Sequence, residues 1–281
     1  MKQFALLALL VSPLVLCGQT VFINETFDTD SIGLAPNDPA QKHSAQVLVQ
    51  SGSGAIGTDN VAHFNDATSS AGALEYNVGD SGLSSLYASF DLLNAAHSGT
   101  GPGSQPIIFG IGEWNSTSGS AVLNANAKRY FNLEFSALGT TSTLKIRIGG
   151  TTTYTATYDP SELQHVQIWL NDHNTNSLSY TRPDNYATAM LDPNSVVIFI
   201  NGVLIGSTDS GIGIQTSVGG NGDSTIGRVG FYSSQSDMPN FYIDNLYVAA
   251  IPEPSTYAAI VGVLALGVAA YRRRQRVCSS E

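Results

Sequence analysis

The sequence predicts an all-β domain, folded as one antiparallel sandwich of two packed sheets. Between residues 19 and 250, short runs rich in Val, Ile, Phe, Tyr and Thr are separated by clusters of Gly, Asn, Asp and Ser, which is typical of strands joined by turns. No segment of comparable length has helical periodicity, and no fixed-period repeat indicates a propeller or a solenoid. Because the strands do not alternate with helices, we expect two antiparallel sheets around one core.

The strands are assigned from the apolar runs and from their alternation. In the run Tyr130–Phe135, the even-numbered residues are predicted to face solvent and the odd-numbered residues the core, since the side chains of a strand point to opposite faces in turn. The other predicted strands are Val21–Phe27, Gln46–Val49, Val61–Phe64, Ala73–Val78, Ser85–Leu92, Ile107–Ile111, Thr143–Ile148, Thr152–Tyr158, His165–Leu170, Val196–Ile200, Val203–Ser207, Ile226–Tyr232 and Phe241–Val248.

Two short turns support antiparallel pairing. Asn201 and Gly202 separate two strand-like runs, and an Asn-Gly pair accepts positive φ at both central positions of a two-residue hairpin turn. The segment Val196–Ser207 is therefore predicted to be a tight hairpin. Gly149 and Gly150 are predicted to make the same kind of turn in the preceding part of the chain.

Two regions of the middle segment have an order of strands and turns that is informative about the fold. In Gln164–Ser207, a strand with Trp169 is followed by a polar tip and then by a Val-Ile-Phe-Ile-Asn-Gly hairpin. The early segment Asn24–Asp28 and the final strand Phe241–Val248 form a similar pair of terminal strands. These two patterns resemble the concanavalin A-like or laminin-G-like jelly roll. The resemblance implies a two-sheet jelly-roll sandwich whose first and last strands are neighbours. Trp169 is interpreted as a core residue.

Charge excludes one class of partner. The chain has a formal net charge of -10 and 12% charged residues. Without the five cations and two acidic residues of the terminal segments, the middle keeps seven cations against 20 acidic groups, a net charge of -13. Phosphate backbones are bound by clustered Lys and Arg, so we expect no nucleic-acid partner.

Both cysteines, Cys17 and Cys278, lie in the terminal segments, and the middle must be stabilised by core burial instead of a disulfide.

The N-terminal segment has the layout of a secretory signal peptide. Lys2 precedes the apolar run Phe4–Leu16, and small or polar residues follow from Cys17 onward. This order of a basic, an apolar and a small-residue region predicts a signal peptide over residues 1–18 and a sandwich domain over 19–250. Residues 14–17 also resemble a lipoprotein signal that would lipidate Cys17, although Leu16 stands where that signal has Gly, Ala or Ser.

The C-terminal segment 251–276 combines three features in a fixed order. A Pro-Glu-Pro motif precedes an uncharged apolar stretch over 257–271, and a basic cluster follows it. The apolar stretch is predicted to be a transmembrane helix, with the basic cluster cytoplasmic and the sandwich domain outside. The motif consists of Pro252, Glu253 and Pro254, and the cluster of Arg272, Arg273, Arg274 and Arg276.

This C-terminal arrangement resembles the PEP-CTERM sorting signal of Gram-negative bacteria. The resemblance covers only the segment from Pro252 to Arg276. It implies recognition by a membrane-embedded exosortase, processing near the motif, and delivery to the cell surface or the extracellular polysaccharide matrix. An ordinary C-terminal anchor after a proline-rich linker is the alternative, and both interpretations place the domain outside the cell.

Catalytic motifs do not emerge from the middle segment. Residues 79–82 and 95–97 are similar to the serine and histidine boxes of trypsin-like proteases, but in reversed order. Glycoside hydrolysis needs a carboxylate pair, whereas Glu75, Glu113 and Glu134 are isolated in sequence, and Glu134 is interpreted as a solvated strand residue. We predict that the protein is not an enzyme and has no catalytic residue, with a glycan-active enzyme as the second alternative.

Two sites of other chemistry are predicted. Glu25, Asp28 and Asp244 come from the first and last strands and are a candidate structural calcium site, since calcium prefers hard oxygen ligands. Trp114 lies in a predicted loop and is a candidate for stacking on a sugar ring. The main functional hypothesis is a non-catalytic surface or matrix protein associated with exopolysaccharide, and the first alternative is a carbohydrate-binding, lectin-like domain.

Overall fold

The computed structural model describes residues 20–37, 40–65, 72–78, 83–94, 106–113, 123, 125–138, 141–206, 208–216, 218, 226–233, 240–251 and 267. Residues Val21–Ala250 form one compact unit, and the terminal segments Met1–Thr20 and Ile251–Glu281 are assigned to a second. The predicted signal peptide, the Pro-Glu-Pro motif and the basic cluster lie outside the described residues. Among the described residues, no helix has the length and apolar character needed to cross a membrane.

Within these ranges the unit Val21–Ala250 is built from 18 strands and two 3-10 turns, Gly54–Ile56 and Asn126–Lys128. The strands are β1 (Val21–Glu25), β2 (Ala40–His43), β3 (Val47–Ser51), β4 (Asn60–Asn65), β5 (Ala73–Asn77), β6 (Ser85–Asn94), β7 (Ile107–Glu113), β8 (Arg129–Leu138), β9 (Thr141–Ile148), β10 (Thr151–Tyr158), β11 (Gln164–Asn171), β12 (Leu178–Thr181), β13 (Thr188–Leu191), β14 (Ser195–Ile200), β15 (Val203–Leu204), β16 (Ile212–Gly213), β17 (Ile226–Tyr232) and β18 (Asn240–Ala250).

Two antiparallel sheets carry the fold. Sheet A has the order β15-β14-β11-β6-β18-β4-β3, with β1 paired to β18 and β16 paired to β14. Sheet B has the order β10-β9-β8-β7-β17-β5-β2, and β12 and β13 form a separate two-stranded sheet. The predicted all-β, two-sheet antiparallel sandwich is therefore confirmed, as is the pairing of the first and last strands.

The core lies between the inner faces of the two sheets. Phe90 of β6 in sheet A packs against Phe109 of β7 in sheet B with ring centroids 4.6 Å apart. Phe231 of β17 meets Phe90 edge-on at 4.9 Å and lies 5.2 Å from Phe109. All three rings are fully buried, so this aromatic triad joins the sheets by apolar burial and by favourable ring geometry.

The turns follow the predicted chemistry. Asn201 and Gly202 have φ of 51° and 76°, and Gly149 and Gly150 have φ of 56° and 83°. Both pairs therefore adopt the left-handed conformation that a two-residue hairpin turn requires. The first pair joins β14 to β15, and the second joins β9 to β10.

The predicted solvated face of Tyr130–Phe135 is wrong. The pairing of β7 with β8 shifts register between Ile111 and Gly112, and Tyr130 is the extra residue of the resulting bulge. The bulge turns Tyr130 into the core, where its hydroxyl donates to Asp172 Oδ2 at 2.8 Å. Glu134 is only 4% exposed and accepts a hydrogen bond from Arg147, so it is not a solvated strand residue.

The sequence patterns did not predict four of the strands. A bulge lies in β10, the edge strand of sheet B. The unpredicted strands are short: β2, β12, β13 and β16 have four residues or fewer. At the edge of sheet B, the pairing of β10 with β9 shifts register between Thr152 and Tyr154. The other end of the same edge strand, toward Tyr158, continues in regular antiparallel pairing.

Replacing Gly230 by Ala is expected to destabilise the domain by roughly 1–3 kcal/mol. A Cβ at this position in β17 would lie 2.2 Å from the Leu74 carbonyl oxygen of the neighbouring strand, which is backbone and has no alternative rotamer. Urea unfolding at neutral pH measures the change. Gly213→Ala is the matched control, because a Cβ there has no heavy atom within 4 Å. Equal stability of the two variants would contradict the packing described for β17.

Candidate functional site

Trp169 lies on the outer face of sheet A, and its interpretation as a core residue is wrong. In β11 the inward positions are Val166, Ile168 and Leu170, which are fully buried in the core. Trp169 falls between them in the alternation and so points to the opposite face. There it is half-buried, which leaves part of the indole open to solvent.

Three aromatic side chains form a strip on this face, which we call the aromatic strip: Tyr87, Trp169 and Tyr247. Trp169 lies directly opposite Tyr87 of β6 in the strand register, with ring centroids 4.8 Å apart. Tyr247 of β18 lies 6.1 Å from Tyr87. All three rings are half-buried, so their edges are fixed by packing while part of each ring is accessible.

Polar groups lie between the rings. Gln167 is the next outward residue of β11, and its side-chain amide donates to the Tyr87 hydroxyl at 3.1 Å. Across the sheet it faces Ser89 of β6, which in turn faces Tyr247. The strip therefore combines apolar ring surfaces with an amide and hydroxyls that can exchange hydrogen bonds with a ligand.

The small sheet formed by β12 and β13 holds one end of the strip. Tyr180 of β12 lies 5.3 Å from Trp169, and Phe199 of β14 meets Trp169 edge-on at 5.8 Å. Tyr180 also donates its hydroxyl proton to the Asp209 carbonyl oxygen at 3.1 Å. Because neighbours contact Trp169 from three strands, its orientation is set before any ligand arrives.

The other end of the strip is acidic. Asp91 of β6 and Asp244 of β18 are direct partners in the antiparallel register, which brings their Cβ atoms to about 4.5–5.5 Å. His165 Nδ1 donates to Asp91 Oδ1 at 2.6 Å, and the Asn245 side-chain amide donates to Asp91 Oδ2 at 2.8 Å. Asn245 has φ of 52°, a left-handed conformation that Asn tolerates, at the point where the pairing of β18 with β6 shifts register.

The pKa values of Asp244 and His165 at this acidic end are both raised. Desolvation raises the pKa of Asp244 to about 6, and repulsion from Asp28, Asp91 and Asp59 adds to it. The hydrogen bond to Asp91 raises the pKa of His165. The acidic end therefore supplies carboxylate oxygens, an imidazole and an amide on the same strands that carry the aromatic strip.

The two sites predicted from the sequence, at Trp114 and at Glu25, Asp28 and Asp244, are not supported by the described residues. Trp114 lies outside the described residues. Glu25 uses Oε1 to accept the Phe27 backbone N–H at 2.7 Å, and the described residues contain no group of three His, Cys, Asp or Glu side chains arranged to hold a metal ion. Calcium at Glu25, Asp28 and Asp244 therefore stays a prediction without support from the side-chain geometry.

A separate pocket of about 330 Å³ opens where the edges of the two sheets diverge. It lies between β9 and β10 on one side and β14 and β15 on the other. Its lining is mainly apolar, with carboxylates at Asp159 and Glu162. It holds Tyr158 as its single aromatic lining residue, whereas the aromatic strip offers three rings in a row.

The strip was largely missed by sequence reasoning, although part of its signal was present. In β6, Tyr87, Ser89 and Asp91 occupy alternate positions between apolar residues, which indicates a second functional face of the strand. The partners of that face come from β11 and β18, about 80 and 160 residues further along the chain. Such pairings depend on the sheet order and not on local spacing.

Comparison with known proteins finds similarity in fold. No protein-family model matches the sequence, and no curated protein matches it. A carbohydrate esterase from the Shiga toxin-encoding bacteriophage phi24B aligns with 84% of this chain and 100% of its own, at 12% identity and a TM-score of 0.50. The carbohydrate recognition domain of Emp47p aligns with 80% of this chain and 93% of its own, at 10% identity and a TM-score of 0.48. The basic winged bean lectin aligns with 84% of this chain and 99% of its own, at 13% identity and a TM-score of 0.45.

The raised pKa of Asp244 predicts a pH-dependent effect of Asp244→Asn. Well below pH 3.8 the carboxyl is protonated in both folded and unfolded chains, and the variant should match the wild type. As pH rises through 4 to 6 the unfolded chain ionises first, so the wild type loses stability relative to the variant. Above pH 6.5 the variant should be more stable by about 1–2 kcal/mol, a value reduced for solvent screening.

Urea unfolding at pH 3.5 and pH 7.5 measures this difference. Asp192→Asn is the control, because Asp192 is exposed. A variant that is equally stabilised at both pH values would show that Asp244 is not strained by its ionisation.

Proposed function

We propose that the domain is a non-catalytic carbohydrate-binding module whose aromatic strip stacks on sugar rings. One observation carries the proposal: Tyr87, Trp169 and Tyr247 are held side by side on an open sheet face, with Gln167 and the acidic end beside them. An aromatic face offers apolar area to the C–H face of a pyranose. Amides and carboxylates next to the rings bind the equatorial hydroxyls.

Charge selects the class of sugar. The strands of sheet A contain Asp91, Asp244 and Glu25 but no Lys or Arg. Arg182, between β12 and β13, pairs with Asp184 and Asp209. A uronate or sulfated glycan would bring its own negative charges against this face, which costs free energy. The proposed ligand is therefore a neutral polysaccharide.

The proposed setting is outside the cell. Residues 1–18 would direct export, and the Pro252-Glu253-Pro254 motif with the span over 257–271 and the arginine cluster would sort the chain through an exosortase-type enzyme. The domain would then bind exopolysaccharide at the cell surface or in the extracellular matrix. A chain that is poor in charge and rich in hydroxyls and amides suits a hydrated polysaccharide environment.

A glycan-active enzyme is the second candidate, and one observation favours it. Asp91 and Asp244 form the cross-strand carboxylate pair that sequence spacing alone did not reveal, and glycosidases act through two carboxyl groups about 5–10 Å apart. Here Asp91 accepts from both His165 and Asn245. These two hydrogen bonds fix the orientation of the Asp91 carboxylate and leave lone pairs on both oxygens that can accept from sugar hydroxyls, which suits a binding role.

Tyr247→Ala and Trp169→Ala are each expected to weaken binding to a neutral polysaccharide about tenfold or more, because each removes a stacking surface. Affinity electrophoresis in gels with cellulose derivatives, β-glucans or dextran measures the effect. Tyr186→Ala is the matched control, since Tyr186 is 83% exposed but lies in the turn between β12 and β13. Sugar hydrolysis by the wild type that Asp244→Asn abolishes would favour the enzyme instead.

Replacing Pro252, Glu253 and Pro254 together by Ala is expected to leave the protein in the membrane fraction, because the processing enzyme would lose its recognition motif. Immunoblotting of fractionated cells measures size and location. Replacing the four arginines by Ser is a separate test. The fraction of chains with the basic tail in the cytoplasm and the amount of protein retained in the membrane should both decrease. An intact wild-type chain in the cytosolic fraction would refute export.

A further inference from the structure

The cations of the domain are segregated on one sheet. Of the seven Lys and Arg residues in the middle of the chain, Arg182 alone lies outside sheet B and its flanking turn. The other six are Lys42 in β2, Lys128 in the turn before β8, Arg129 in β8, Lys145 and Arg147 in β9, and Arg228 in β17. In a domain of strongly negative net charge, this concentration creates a local positive region on the outer face of sheet B.

Arg129 is the most unusual member of this group. Its side chain runs across β7, where a Cβ at Gly110 would meet Arg129 Cδ at 3.4 Å. Its guanidinium lies over the Tyr232 ring of β17, 4.5 Å from the centroid. One amino group, Nη2, donates to Asn126 Oδ1. The residue is only 4% exposed, so a full positive charge is held inside the protein.

The remaining hydrogen-bond donors of Arg129 lack acceptors. Within the structure described, Arg129 Nε and Nη1 are buried and have no hydrogen-bond partner. Burial lowers the pKa of this guanidinium to about 10. Attraction from Glu134 and Glu75 opposes this shift, and repulsion from Arg147 adds to it. Native proteins rarely leave buried charged donors unsatisfied, and a bound ion is one recognised way to satisfy them.

The charged side chains around Arg129 carry a net positive charge. Arg129, Arg147 and Arg228 face Glu75 and Glu134 on the outer face of sheet B, which leaves one positive charge. Lys128 is paired with Glu113, and the half-buried Lys145 lies opposite Glu134 and adds a further positive charge. A bound monoanion would bring this cluster closer to neutrality.

Three glycines of sheet B lie beneath this region. Gly110, Gly112 and Gly230 come from the two adjacent strands β7 and β17, and Gly110 pairs with both Gly230 and Asn132. Asn132 is 4% exposed, and its Oδ1 has no partner among the described residues. A Cβ at Gly110 would meet the Arg129 and Leu123 side chains, and a Cβ at Gly112 would meet Leu123. The glycines therefore make room for Arg129 and Leu123 to lie close against the sheet.

We propose that the outer face of sheet B contains an oxyanion site in which Arg129 is the central ligand. The ligand class is a carboxylate or a phosphate, since both present oxygens that guanidinium N–H groups bind in charge-assisted hydrogen bonds. In this site Arg129 Nε and Nη1 donate to the oxyanion, Tyr232 supports the guanidinium face, and Arg147 contributes long-range charge. The site is separate from the aromatic strip, which lies on the other sheet.

Thermal unfolding of the full-length protein tests the site with two probes, sodium galacturonate and inorganic phosphate, against galactose and sodium chloride at equal ionic strength. A saturable rise in Tm on the order of 5 °C is expected with at least one oxyanion, because a ligand that binds only the folded state stabilises it. A response to galacturonate alone identifies an acidic sugar, and a response to phosphate identifies a phosphate ligand. The absence of a saturable rise with both anions overturns the proposal.

Four variants separate the site from general charge effects. Arg129→Lys keeps the charge but loses most donors, and it should raise the half-saturating anion concentration at least tenfold. Arg129→Met should remove the response, and if this variant does not fold, Arg129→Lys remains decisive. Arg182→Gln and Trp169→Ala should retain the full anion response, and unchanged saturation in Arg129→Lys overturns the proposal. Loss of sugar binding in Trp169→Ala with an intact anion response shows that the two sites are independent.

Discussion

The register of β6 between β11 and β18 is the constraint on which the structure depends. β6 lies at the centre of sheet A, and its pleat divides its side chains between two faces. Phe90 faces inward and joins the sheets through Phe109 and Phe231. Tyr87, Ser89 and Asp91 face outward and lie opposite Trp169, Gln167 and His165 of β11. Because the period of a strand is two, a slip of one residue would exchange these faces. The same pairing therefore stabilises the core and assembles the surface.

Most of the framework was predictable from local sequence. β-branched and aromatic runs such as Val196–Ile200 specify strands, and Asn201-Gly202 specifies a turn through its backbone conformation. The alternation failed at Tyr130, because a bulge opposite Ile111 and Gly112 adds one residue and reverses the facing. Short strands such as β12 and β13 were missed because four residues do not establish a period. The aromatic strip and the Asp91–Asp244 pair needed the sheet order, which no local spacing encodes.

The two outer faces of the sandwich have opposite chemistry. Sheet A presents aromatic rings, amides and carboxylates and has no cationic residue in its strands. Sheet B buries guanidinium and carboxylate groups over a floor of glycines. A buried charge is far more costly than an exposed one, so its retention in sheet B requires compensation by partners. The hydroxyl-rich and amide-rich composition of the sequence hides this asymmetry, because it appears only after the chain is folded.

The irregularity between Thr152 and Tyr154 gives the edge of sheet B a further property. β10 has neither a charged residue nor a proline. Both features commonly prevent exposed edge strands from pairing edge to edge with another molecule. A displaced residue in the strand breaks the regular spacing of amide and carbonyl groups that an incoming strand would have to match. The bulge therefore works against the addition of a second copy's strand at the start of β10, where the regular spacing is interrupted.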